Sequence, residues 1–201
     1  MKTARSDDSG FTLVEMIVAM GIFGILLAIF ATAVQTFSAS TVRTLRSSDQ
    51  ATQSRVAFDL FDKQVRAASA ISKPGLGLTG LNWYVEYQDD VDVPSTCTQW
   101  VLRTATGVLE TRKWVVGATT APAWRTVGTN ITNTTATSQA PFALVVSTTV
   151  VPLQQLSVTI RYQQVGGPLT VNNSIFAARN SSTSTSTNGT GLICNSSTWR
   201  P

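Results

Sequence analysis

The sequence predicts an α+β protein: one long N-terminal helix, half of membrane-spanning character and half amphipathic, packed on an antiparallel β-sheet head. Three observations carry that prediction. From Phe11 to Val34 the chain is apolar except for Thr12, Glu15 and Thr32. Apolar residues then recur at helical spacing as far as Ile71, with charges on the other side. After Gly80 the pattern turns to alternating, β-branched and aromatic segments broken by turn residues. A helix followed by strands is the order of an α+β domain and not the βαβ alternation of a nucleotide-binding fold.

The first element is the apolar stretch. Residues 1–10, MKTARSDDSG, are polar, with Lys2 and Arg5 set against Asp7 and Asp8. As a helix, Phe11 to Val34 spans roughly 36 Å, enough to cross a hydrocarbon core of about 30 Å. One reading is a plain signal anchor. A second is a secretory signal peptide, with Ala31 and Ala33 as a weak A-x-A cleavage site, although the apolar region is long for that role. A third turns on Glu15. An ionised carboxylate in lipid costs on the order of 2.5–3.5 kcal/mol at mid-membrane depth and less near the end of the span. Something should offset that cost; in an ordinary anchor Glu15 would snorkel to the headgroups.

The second element continues the first. Phe37, Val42, Leu45, Thr52, Val56, Leu60, Val65, Ala68 and Ile71 recur every three to five residues. Arg43, Arg46, Asp49, Arg55, Asp59, Asp62, Lys63 and Arg66 fill the opposite side, and Asp59–Lys63 and Asp62–Arg66 are acid-then-base pairs at i,i+4. With no proline between Phe11 and Ile71, one unbroken helix is expected to end before Lys73-Pro74-Gly75. The expected divisions are therefore 1–10 as a leader, 11–34 as the membrane or assembly helix, 35–72 as its amphipathic continuation, and 73–201 as a β-rich head.

Within the head, Leu81 to Tyr87 reads as a strand. Thr98 to Thr104 and Val108 to Val116 read as a hairpin through Ala105-Thr106-Gly107. Leu153 to Val165 and Leu169 to Ala178 read as a second hairpin through Gly166-Gly167-Pro168. Residues 117–141 lack periodicity and are expected to form a surface loop, and Asn180 to Thr190 is a low-complexity Ser/Thr run.

Composition narrows the chemistry. The chain has no histidine, which removes His-based acid–base catalysis, the Ser-His-Asp and Cys-His nucleophiles and most zinc sites. The net charge of +4 is spread without a basic run. Asp89, Asp90 and Asp92, with Glu86 nearby, form the one acidic cluster with calcium-ligand chemistry; a solvated loop between strands is the competing account. No enzyme activity and no cofactor are expected. Trp83, Trp100 and Trp114 sit at strand positions suited to core packing, whereas Trp124 and Trp199 are the two placed to be exposed.

The run Gly10-Phe11-Thr12-Leu13-Val14-Glu15, followed by a long apolar helix, resembles the prepilin motif of type IV pilins and type II secretion pseudopilins. The resemblance implies a pilin-like fold, cleavage after Gly10 by a membrane prepilin peptidase, and N-methylation of Phe11. It also implies that Glu15 pairs with the new terminal amine of a neighbouring subunit. The implied partners are the peptidase, other pilin subunits and an inner-membrane pilus assembly platform. The implied location is the cell membrane before assembly and an extracellular filament afterwards. Three later stretches, Phe58 to Ala68, Leu109 to Arg112 and Ile175 to Asn180, are similar to minor pilins of the PilW type and pseudopilins of the J type. The expected role is a minor structural subunit of a type IV pilus or related filament. The alternatives are a type II secretion pseudopilin, or a tip adhesin or DNA-uptake pilin that touches DNA or a surface ligand through Trp124, Arg125, Trp199 and Arg200.

Export bears on the two cysteines. Cys97 and Cys194 match no metal-ligand spacing, and in an oxidising compartment their expected use is a disulfide; the alternative is two unpaired thiols. Closing a loop of roughly a hundred residues is worth ~4–5 kcal/mol in the chain-entropy model.

Overall fold

The computed structural model describes residues 10–91, 93–163, 169–183, 193–194 and 200. They fall into two compact units, Met1–Ser48 and Asp49–Pro201, and one helix, α1 (Leu13–Ala67), runs through both.

In the first unit every large apolar side chain from Phe11 to Phe37 is half exposed or more. A helix that is apolar all round has no single face to bury against a domain; it suits lipid or the packed interior of a helical assembly. An 18-residue window of α1 reaches a mean hydropathy of 2.6, the length and composition of a membrane-crossing helix. Two of its threonine hydroxyls bond back to the helix backbone. Thr32 Oγ1 donates to the carbonyl of Ile29 at 2.8 Å and Thr36 Oγ1 to that of Thr32 at 2.9 Å. That back-bonding spares a hydroxyl the cost of entering an apolar medium unpaired.

In the second unit α1 buries Ser54, Ala57, Phe61 and Val65, and Ala68 continues the stripe beyond the helix end. This corrects the face expected from sequence in part: Val65, Ala68 and Ile71 are buried as expected, but Val56 is 47% exposed and Thr52 is exposed, so before Val65 the buried stripe is rotated by about one residue. Phe61 decides the rotation: it stacks on Trp100 with ring centroids 3.9 Å apart and lies 6.0 Å from both Phe142 and Phe176. The helix also stops at Ala67, short of the expected Ile71. Ala70–Ile71 is instead a short strand, β1, because Ser69 and Ser72 bond to the backbone of the neighbouring strand. Both acid–base pairs form, Lys63–Asp59 at 2.8 Å and Arg66–Asp62 at 2.6 Å, on exposed surface where solvent screens them and they add little.

The remaining strands are β2 (Gly75–Leu76), β3 (Asn82–Asp89), β4 (Thr96–Arg103), β5 (Val108–Val115), β6 (Arg125–Gly128), β7 (Phe142–Val145), β8 (Gln155–Gln163) and β9 (Leu169–Ala177). The first sheet has the order β1-β3-β4-β5-β6, with β2 pairing further along the same edge of β3. The second has the order β7-β8-β9, and every pairing in both is antiparallel. The hairpin expected through Ala105-Thr106-Gly107 is β4–β5. Gly107 there has φ +65°, and a Cβ on it would stand 2.5 Å from the Ile131 carbonyl oxygen, so the position needs glycine twice over. The second expected hairpin is β8–β9; its turn lies outside the described residues. Residues 117–141 are not wholly a loop. They contain β6 and a short 3-10 turn, Thr137–Gln139, which sequence periodicity missed because neither is longer than four residues.

The two sheets and the helix share one core. Trp83, Val85, Tyr87, Trp100, Leu102 and Leu109 from the first sheet meet Leu156, Val158, Ile160, Tyr162 and Phe176 from the second, with Phe61 of α1 among them. One polar group inside is paired twice: Trp100 Nε1 donates to Tyr87 Oη at 2.6 Å and to Gln64 Oε1 at 3.1 Å.

Candidate assembly site at the start of α1

Gly10 and Phe11 precede the helix, and Phe11 is 83% exposed. A Cβ added to Gly10 would meet nothing within 4 Å. Packing among the described residues therefore does not ask for glycine here. A sterically open, extended backbone is what a protease needs at a scissile bond.

Thr12 caps the helix. Its Oγ1 accepts the backbone N–H of Glu15 at 3.3 Å, while Glu15 Oε2 accepts the backbone N–H of Thr12 at 3.5 Å. This reciprocal arrangement is a capping box, and it satisfies two of the donors that a helix start leaves unpaired. It turns the carboxylate back toward residue 11, at the positive end of the helix dipole. The pattern Thr-x-x-Glu at residues 12–15 was visible in the sequence as a capping signature; the apolar context drew attention to the membrane cost of Glu15 instead.

On the head the cysteines pair as expected, while the acidic cluster and the tryptophan–arginine surface are arranged differently from expectation. Cys97 and Cys194 form a disulfide with Cα atoms 5.9 Å apart. Of the acidic cluster, Asp89 Oδ1 accepts the N–H of Val91 at 3.1 Å, and Asp90 accepts from Ser69 Oγ at 2.6 Å and Gln88 Nε2 at 2.7 Å. Partial burial works against ionisation of Asp90, but the hydrogen bonds from Gln88, Ser69 and Ser95 prevail and hold its pKa below the ordinary carboxylate value. Asp92 lies outside the described residues. Glu86 does not join the group: it is buried on the sheet and bonded to Arg200. Among the described residues no three acidic or cysteine side chains gather as a metal site would require.

The surface proposed for ligand contact is also rearranged. Trp83, Trp100 and Trp114 are buried. Trp124 is half-buried, with the Arg112 guanidinium 4.0 Å from its ring centroid and that of Arg103 at 5.8 Å, so part of its face is already covered. Burial pulls the Arg112 pKa down from its ordinary value, against the opposing effect of Tyr84 and Glu86. Arg125 is exposed, Trp199 lies outside the described residues, and Arg200 is turned inward at 7% exposure. That last placement corrects the expectation of Arg200 as a contact residue: a buried carboxylate holds its guanidinium.

The family described as the prokaryotic N-terminal methylation motif matches residues 5–31. No curated protein and no solved structure matches the chain. The matched segment contains the Gly10–Phe11 junction, the capping box and most of the apolar run. The chain thus carries, over residues 5–31, a prokaryotic N-terminal methylation motif of the type IV pilin-like kind, ahead of an α+β head.

Proposed function

We propose that this chain is a minor structural subunit of a type IV pilus or a related filament, matured by cleavage between Gly10 and Phe11 and by methylation of the Phe11 amine. The observation that carries the proposal is the methylation motif over residues 5–31 joined to a helix that is apolar on every side. Before assembly the helix anchors the chain in the membrane; afterwards the same apolar surface packs among the helices of neighbouring subunits, where burial supplies roughly 25 cal/mol per Å². Cleavage creates a cationic Phe11 amine, which a neighbouring subunit presents to the Glu15 carboxylate near the helix start. Such a pair, desolvated, favours one axial register, because a slipped helix leaves both charges unpaired. The peptidase, other pilins and a membrane assembly platform are the partners this reading requires.

The role is assembly and not catalysis, in keeping with a chain that has no histidine. A type II secretion pseudopilin would use the same N-terminal chemistry in another machine. An adhesin or DNA-uptake role draws less support from the head, since Arg200 is buried and Trp124 is covered by Arg112. The test is a pair of variants, Gly10→Ala and Glu15→Ala, expressed in the native host. Gly10→Ala is expected to retain the leader, and Glu15→Ala to be processed yet fail to enter filaments. Normal maturation and assembly of both would overturn the proposal.

A further inference from the structure

The β4–β5 turn and the loop that follows β6 line an open cleft of about 640 Å³, within the usual range of small-molecule sites. Residues 104–107 and 130–135 contribute to it, with Leu81 just before β3. Its frame is held by backbone and buried groups. The Ile131 N–H donates to the Gly107 carbonyl at 3.0 Å, and Ile131 bridges to Tyr162 of β8. The Thr132 N–H donates to the Arg161 carbonyl at 2.8 Å. Asn133, 2% exposed, donates through Nδ2 to the Gln139 and Thr159 carbonyls and accepts the Arg161 N–H at 2.8 Å. Thr104 Oγ1 donates to the Leu81 carbonyl, and Trp83 Nε1 to that of Thr134 at 2.9 Å. A cleft tied in this way is formed before any ligand arrives. The groups that the frame leaves over are neutral. The Thr106 and Thr135 hydroxyls are exposed and bond to no described residue. Asn130 uses one amide hydrogen on Thr129 Oγ1 at 3.3 Å and keeps its Oδ1. Beside them Leu81 is 55% exposed, and Ala105 is exposed. Among the described residues that line the cleft, none is charged.

We propose that this cleft binds a short neutral oligosaccharide. An anion leaving water there would find no cation to offset its desolvation. An extended peptide binds by pairing with a free strand edge, whereas these walls are a turn and a loop whose backbones already bond to each other and to β8. A sugar offers hydroxyls that both donate and accept, matched to Thr106, Thr135 and the Asn130 amide, and C–H faces that cover Leu81 and Ala105. Each such hydrogen bond contributes modestly, so the dissociation constant is on the order of a millimolar. The cleft shares no lining residue with the surface of Trp124, Arg125 and Arg200. It requires only the folded head and stands apart from the assembly reading.

The experiment is amide chemical-shift mapping by NMR on the full chain in phosphocholine micelles, which present no sugar headgroup. Maltotriose, cellotriose and triacetylchitotriose are the probes; anionic trigalacturonate and the neutral peptide Gly-Ser-Thr-Ser-Gly are the controls. At least one neutral trisaccharide is expected to shift the amides of Gly107 and Ile131–Thr135 saturably, and neither control to do so. Asn130→Gly removes the amide while suiting the left-handed backbone at φ +59°, and Thr106→Val removes a hydroxyl at nearly constant shape. Each is expected to weaken binding roughly three- to tenfold and to leave the amide spectrum away from the cleft unchanged. No saturable shift with any of the three sugars up to about 50 mM would overturn the proposal. So would equal shifts from trigalacturonate or from the peptide, or an affinity that neither variant alters.

Discussion

The rotation of α1 within the head can be tested by two truncations at neighbouring positions. The sequence periodicity puts Val56 on the buried face, whereas the structure leaves Val56 47% exposed and buries Phe61 completely. Phe61→Ala removes a ring that stacks on Trp100 at 3.9 Å and lies 6.0 Å from Phe142 and Phe176, so the hole opens where the helix meets both sheets. A Phe→Ala change at such a site costs about 3–5 kcal/mol, of which lost ring pairing is about 0.5–1.5 kcal/mol. For a unit of this size that corresponds to a fall in Tm of roughly 6–20 °C. Val56→Ala, at a half-exposed position, should cost within about 0.5 kcal/mol, or roughly 2 °C at most. The assay is near-UV circular dichroism during thermal unfolding of the full chain in micelles, since Trp100 reports on the contact. If Val56→Ala proves as damaging as Phe61→Ala, or Phe61→Ala lowers Tm by less than about 3 °C, the packing described here is wrong.

Other perturbations follow from the same structure. Gly107→Ala combines a left-handed backbone at φ +65° with a Cβ 2.5 Å from the Ile131 carbonyl; a loss of at least about 2 kcal/mol is expected in chemical denaturation, and a neutral substitution would contradict the turn geometry. All three tyrosines are expected to resist ionisation. Burial raises the pKa of Tyr84, Tyr87 and Tyr162, most strongly at Tyr87. A raised folded-state pKa contributes stability that is complete below the unfolded value of about 10 and is lost as pH climbs through the folded value. Absorbance at the phenolate band should therefore stay low past pH ~10 and rise together with loss of the near-UV signal; early, reversible ionisation of all three would refute the burial. Thr12→Ala removes one half of the capping box and should weaken the first turn of α1 by about 1 kcal/mol, seen as faster exchange at the Glu15 amide in micelles; unchanged exchange would mean the cap does not hold there.

What was legible in the sequence divides along physical lines. The long helix, the order of elements and the β4–β5 and β8–β9 pairings follow from periodicity and turn residues, which are local signals. The rotation of the helix does not, because Val56 and Ala57 are both acceptable on a buried face and only Phe61 finding Trp100 and Phe176 chooses between them. The short strands β1, β2 and β6 have two to four residues and no period to detect; they exist because β3 and β5 offer unpaired backbone. At the N-terminus the motif itself was readable, while the capping role of Glu15 was overlooked although Thr12 stood three residues before it. The misplaced residues were Glu86 and Arg200. In sequence each stands among neighbours of another kind, an acidic loop and a polar tail, and nothing local reveals that two opposite charges more than a hundred positions apart meet on a sheet.

The central claim is that the Gly10–Phe11 bond is cut and that the helix then begins with a methylated amine. Mass spectrometry of the N-terminal peptide of the protein recovered from its native host tests this directly. The account predicts a chain starting at Phe11 and heavier by one N-methyl group, with residues 1–10 gone. A chain that keeps its leader, or one that starts after Ala31 or Ala33 as a secretory signal peptide would leave it, would contradict the account.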